Sequence, residues 1–145
     1  MQKINIVCIG KIKEEFYRAA LFEYLKRLSR FAKVEVKELQ EGKNLEEESA
    51  SVLRNLKGFT IALCIEGKKL SSEGLAAEIK RVCDRGEELT FVIGSSCGLA
   101  QSVKDAANLK LSFSDMTFPH QLMRVVLAEQ IYRAFMINSG SEYHK

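Results

Sequence analysis

Three short segments carry residues whose types and spacing could do chemistry. The first is Ile93-Gly94-Ser95-Ser96-Cys97-Gly98, directly after a buried apolar run. It is no Walker loop, because no Gly-Lys-Ser/Thr follows, and it does not fit G-x-G-x-x-G. It does match G-x-S-x-G, in which Ser96 would be a nucleophile served by Asp105 or Asp115 and His120 or His144. Two glycines and a serine fall into that spacing easily, and hydrolases built this way normally need a longer chain. A glycine-lined turn that lets a ligand approach the backbone at a strand's C-terminal end is the favoured reading.

The second segment is the turn Phe113-Ser114-Asp115-Met116-Thr117-Phe118, just before Pro119, the only proline of the chain. It offers backbone N–H and C=O groups and two hydroxyls to a ligand, and helix N-termini attract anions. Asp115 could instead balance a cation. A plain connection that happens to hold Ser and Thr would look the same. The third segment is the tail Gly140-Ser-Glu-Tyr143-His144-Lys145. Chain ends are usually frayed, yet an aromatic, an imidazole and an ammonium suit contact with a nucleobase and phosphate.

The elements that must position these segments alternate. Lys3 to Ile9 reads as a strand closed by Gly10, and Glu14 to Phe31 as a helix striped by Tyr17, Leu21, Tyr24, Leu28 and Phe31. Val34 to Leu39 alternates as a strand. Gly42 to Gly58 is acidic and reads as a loop with a short helix through Val52, Leu53 and Leu56. Phe59 to Ile65 and Leu89 to Ile93 are apolar runs expected of strands covered on both faces. Between them Ser71 or Ser72 caps a helix running to Gly86. Gly98 to Ala107 reads as a short helix and Leu109 to Phe113 as a fifth strand. The pattern predicts an α/β fold with a mostly parallel, five- to six-stranded sheet between helices.

The last helix, His120 to Asn138, carries His120, Arg124, Glu129, Gln130 and Arg133 but is apolar around most of its circumference. Such a helix must be covered on more than one face. Its own sheet can cover one face, and a second copy of the chain most simply covers another.

With 145 residues, the chain is expected to form one domain, 1–145. Hydrophobic and charged shares of 46% and 28% are those of an ordinary globular protein. No segment reads as a signal peptide or membrane span, so the cytoplasm is expected. Net charge of +3 permits RNA as a partner without pointing to it. Arg18, Lys26, Arg27, Arg30 and Lys33 crowd the first helix and its exit, and solvated faces are the favoured account of them. Cys8, Cys64, Cys83 and Cys97 show neither C-x-x-C spacing nor pairing with the two histidines, so reduced thiols and no metal are expected.

Taken together, the run from Leu111 through Phe-Pro-His-Gln to Phe135, the Tyr143-His144-Lys145 ending, the opening Ile4 to Lys13 and Glu66 to Gly74 resemble the ribosomal RNA large subunit methyltransferase H family of the SPOUT superfamily. The resemblance covers nearly the whole chain. It implies a C-terminal trefoil knot, an exception to the unknotted-chain rule. It also implies a homodimer, S-adenosyl-L-methionine as methyl donor, and methylation at N3 of a pseudouridine in 23S rRNA on the assembled ribosome. Carried over by position, it implies cofactor contacts from Leu63, Gly94, Phe113, Ser114, Asp115, Met116, Thr117 and Phe118. Arg124, Tyr143 and His144 are implied as catalytic residues, with His120 and Lys145 also near the target base or its phosphates. The family usually has two successive glycines where this chain has Gly94-Ser95, and a φ above zero at Ser95 would be strained.

Methyl transfer from a sulfonium needs alignment with the attacking nitrogen, not an enzyme nucleophile. The proton on N3 must leave. Either His144 accepts it, or donors stabilise the anionic ring. A serine hydrolase and a non-catalytic ribosome-binding module are the rival classes. Covalent labelling of Ser96 would mark the first, and RNA binding without cofactor binding the second.

Overall fold

The computed structural model describes residues 1–145. Five strands form one sheet: β1 (Gln2–Ile9), β2 (Ala32–Leu39), β3 (Phe59–Lys69), β4 (Leu89–Ile93) and β5 (Leu109–Ser112), in the order β2-β1-β4-β3-β5. Every pairing between them is parallel. Helices α1 (Glu15–Leu28), α3 (Ser72–Asp84) and α5 (His120–Asn138) supply one face, and α2 (Leu45–Arg54) and α4 (Gln101–Ala106) the other.

The side-chain period of two sorts the strands between these layers. Ile4, Ile6 and Cys8 of β1 join Phe91 and Ile93 of β4, Ile61 of β3, Ile79 and Val82 of α3, and Leu127 and Ile131 of α5. Val7, Ile9 and Val92 point the other way, onto Val52 of α2 and Val103 of α4. Both faces of β1 and β4 are thus buried, as their near-continuous apolar runs require.

Several boundaries differ from the sequence expectation, each for a local reason. Helix α1 stops at Leu28 rather than Phe31, because Ser29 closes it: its hydroxyl donates to the Lys26 carbonyl at 2.6 Å. Phe31 is thereby freed to stack on Phe135, with centroids 5.5 Å apart. Helix α2 is a full ten residues, started by Asn44, whose side chain accepts the Glu47 N–H at 2.8 Å. Glu46, Glu47 and Glu48 in its first turn suit the helix dipole. Helix α3 is capped by Ser71, which accepts the Gly74 N–H at 3.0 Å. Helix α4 begins at Gln101 rather than Gly98, since Gly98 is in the left-handed region with φ of +80° and is bridged to Ser95.

Strand β3 runs on to Lys69, well beyond Ile65. It pairs with β5 as far as Leu63↔Leu111, breaks register, and pairs again at Lys68↔Leu111 and Lys69↔Ser112. Gly67 lies at this crossing, and a Cβ there would sit 2.7–2.8 Å from the backbone of Lys110 and Leu111. Helix α5 spans the residues expected and packs on α1 and α3. None of its residues from His120 to Ile137 is fully exposed. No helix is long and apolar enough to cross a membrane.

Candidate active site

The C-terminal ends of β3, β4 and β5 open onto a cavity of about 240 Å³. Strand β3 contributes Leu63, the turn after β4 contributes Gly94 and Ser95, and the chain after β5 contributes Phe113, Ser114, Met116, Thr117 and Phe118. His120 and Met123 of α5 close one side, and Lys104 of α4 another. Parallel strands ending at one edge bring together segments that are far apart in sequence.

Each wall has a structural cause. At Gly94 a Cβ would lie 2.4 Å from the Gly98 carbonyl oxygen, so only glycine lets the loop fold this tightly against the strand end. Ser95 adopts its turn without positive φ, so the strain expected from replacing a glycine does not arise. In the second turn, the Ser112 hydroxyl donates to the Ser114 carbonyl at 3.1 Å, and Ser114 Oγ accepts the Met116 N–H at 3.0 Å.

Of the residues expected at the cofactor, Leu63, Gly94, Phe113, Ser114, Met116, Thr117 and Phe118 line this cavity. Asp115 does not. Its carboxylate is 78% exposed and pairs with Lys69 at 2.6 Å, turned away by the extra length of β3. Cys64, Glu66, Lys104 and Met123 line the cavity without having been expected there, and Ser95 lies in the turn expected to admit a ligand. The extension of β3 beyond Ile65 hid Glu66, and nothing in the local pattern marks Lys104. Lys104 pairs with Glu66 and holds its carboxyl below the usual range. Burial pushes the Cys64 thiol up.

His120 Nδ1 is buried and has no partner. Burial, with the Arg124 guanidinium one helical turn away, depresses its pKa, so the ring is neutral at neutral pH.

Arg124 does not line the cavity. It is 1% exposed, and its Nη2 donates to the Ile9 and Gly10 carbonyls at 2.9 and 2.8 Å while Nη1 reaches Glu38 at 2.9 Å. Its side chain ties the start of α5 to the end of β1, so in the protomer it has no surface left for a base.

The tail is folded rather than frayed. Tyr143 donates to Glu129 at 2.9 Å and meets the Tyr132 ring edge-on at 5.1 Å. His144 Nδ1 lies 3.0 Å from Arg133 Nη1, and its Nε2 lies 2.5 Å from Glu73. An arginine can only donate, so Nδ1 accepts and Nε2 carries the proton towards Glu73. Neither Tyr143, His144 nor Lys145 lines the cavity of its own protomer.

The hydrolase reading fails on geometry. Ser96 is exposed, Asp105 accepts from Gln101 and Asp115 from Lys69. His144 is held by Arg133 and Glu73, and His120 lines the cavity whereas Ser96 does not, so Ser96 is hydrogen-bonded to neither histidine. No group of three or more His, Cys, Asp or Glu side chains converges to hold a metal ion.

A parallel sheet with a backbone-lined cavity at its C-terminal edge, followed by a long terminal helix, agrees with a comparison to solved structures. TrmJ from Z. mobilis superimposes with a TM-score of 0.51 at 11% identity, over 92% of this chain and 70% of that one, a likeness of fold. The family described as "Predicted SPOUT methyltransferase" matches residues 2–144, which defines the class. Among relatives, the ribosomal RNA large subunit methyltransferase H of Bifidobacterium animalis subsp. lactis is 51% identical over 98% of this chain and 99% of its own. That of Oenococcus oeni is 47% identical over the full length of both. The chain belongs to the ribosomal RNA large subunit methyltransferase H family.

Proposed function

We propose that this chain methylates N3 of a pseudouridine in 23S rRNA of the large ribosomal subunit, with S-adenosyl-L-methionine as donor, on the assembled ribosome in the cytoplasm. One observation carries the reading. Three separated segments, Leu63, Gly94 and Phe113 to Phe118, meet at one cavity with Asp115 alone turned outward. The cavity suits the donor, because Gly94 lets the turn fold tightly enough for its backbone to form one wall and the remaining walls are largely apolar.

When bound, S-adenosylmethionine supplies an activated methyl group on a sulfonium. The chain's own residues align and exclude. Phe113 and Phe118 shield the reacting centre from water, and Leu63 and Gly94 fix the ligand's orientation. Arg124 acts as a positioning residue, holding the start of α5, and with it His120 and Met123, against the end of β1. Tyr143, His144 and Lys145 serve the target base. Because the tail lies off the cavity of its own protomer, it serves the cavity of a second copy, which makes the homodimer the working unit. For His144 to accept the N3 proton, its Nδ1 must leave Arg133. A trefoil knot involving the segments after β4 and β5 belongs to the same reading.

Mass mapping of rRNA after incubation of ribosomes with the protein and isotopically labelled donor tests the function. One methyl at N3 of a pseudouridine is expected on assembled ribosomes, with far less on naked rRNA. His144→Ala should lower the rate about 100-fold or more with donor affinity retained. Efficient labelling of naked hairpin RNA, or an unchanged rate in the variant, would contradict the corresponding part.

A further inference from the structure

The loop after β4 is tied to α2 by a contact that alignment of donor and base does not by itself require. Ser95 Oγ donates to Glu48 Oε1 at 2.9 Å and accepts the Cys97 N–H at 3.2 Å, so the hydroxyl is used in both directions. The other oxygen of Glu48 accepts the Gly42 N–H at 3.2 Å. Glu48 is only 8% exposed. A carboxylate so covered is costly to bury unless its oxygens are bonded, and here each oxygen holds one loop.

The geometry places this bond where it can shape the cavity. Ser95 lines the cavity beside Gly94, and its carbonyl accepts the Gly98 N–H at 2.9 Å. One hydroxyl therefore anchors the turn whose backbone forms the wall. Helix α2 is itself fixed through Val52 against Val92 and Val103. The anchor is rigid. A second glycine at position 95 would leave the turn more conformations and no side chain to hold it.

We propose that Glu48 is a positioning residue for the cofactor cavity: acting through Ser95, it presets the Gly94–Gly98 turn in its ligand-receiving shape. This rests on the methyltransferase reading of the cavity. Binding then spends less on ordering the loop.

Ser95→Ala, Glu48→Gln, their combination and the conservative Ser95→Thr test it. S-adenosylmethionine is titrated by calorimetry, methylation is followed on ribosomes, and amide exchange at 95–98 is measured without ligand. Ser95→Ala and Glu48→Gln should each raise Kd and KM for the donor about ten-fold, with kcat at saturation changed less than about two-fold. The double variant should be no worse than the worse single one, because the two residues make one bond. Ser95→Thr keeps the hydroxyl and should stay near the parent. Exchange at 95–98 should quicken in the two single variants. Unchanged donor affinity in Ser95→Ala, or additive losses in the double variant, overturns the proposal. If the parent protein binds no donor, the functional reading fails separately. Exchange then decides the tether, and an unchanged rate in Ser95→Ala removes it. If Glu48→Gln does not fold, Ser95→Ala carries the test alone.

Discussion

Arg124, implied by the family resemblance as a catalytic residue, is enclosed within its own protomer. Carried over by position, that resemblance implied a place for it near the target base. Inside the fold it is the donor that satisfies the Ile9 and Gly10 carbonyls and balances Glu38, which also accepts the Ile12 N–H at 3.0 Å. Arg124→Met fills similar volume but leaves two buried carbonyls and a carboxylate without their donor. A loss of about 3–5 kcal/mol is expected in urea unfolding, and a loss below about 1 kcal/mol would show that the network contributes little. His144 differs in kind. Both its ring nitrogens are engaged by Arg133 and Glu73, so its availability depends on the tail moving.

Among the elements, β3 decides most about the cavity. Its eleven residues outrun the apolar stretch that marked it, because Lys68 and Lys69 pair with β5 in a second register. That extension carries Glu66 to the cavity and Lys69 to Asp115. Gly67 is the residue that permits it, since any side chain there would press on the Lys110–Leu111 backbone. Gly67→Ala should cost about 2 kcal/mol, or roughly 4–8 °C in Tm by calorimetry. The damage should extend to donor binding, because β5 leads into the turn at Phe113. An unchanged Tm would mean that β5 shifts freely. The early end of α1 was illegible for a related reason: the periodic stripe continues through Phe31, but the chain turns at Ser29 so that Phe31 can meet Phe135.

At the scale of the whole molecule, α5 is covered by α1 and α3 on one side, yet Leu122, Val125, Val126 and Met136 remain only half-buried. Elsewhere on the chain Phe16 is 64% exposed and Met116 75%. In the homodimer proposed above, a second copy across α5 would bury part of this apolar surface. Sedimentation equilibrium should therefore give twice the protomer mass at micromolar concentration. Val126→Glu should dissociate the pair and abolish methylation of ribosomes. A monomer that still transfers methyl groups would end the two-copy account of the site.

The alternation of strands and helices, the limits of α5 and two turns open to a ligand, at Gly94 and at Phe113 to Phe118, were legible in the residues, because hydrophobic period and glycine or proline placement act over a few positions. Leu63 came only from the family resemblance, and Lys104 from neither. The order of the strands, the register break in β3, the inward turn of Arg124, the outward turn of Asp115 and the folded tail were not legible. Each depends on a partner far along the chain: Ile9 for Arg124, Lys69 for Asp115, Glu73 for His144. Such pairings are settled only when the sheet assembles and decides which groups lose water together.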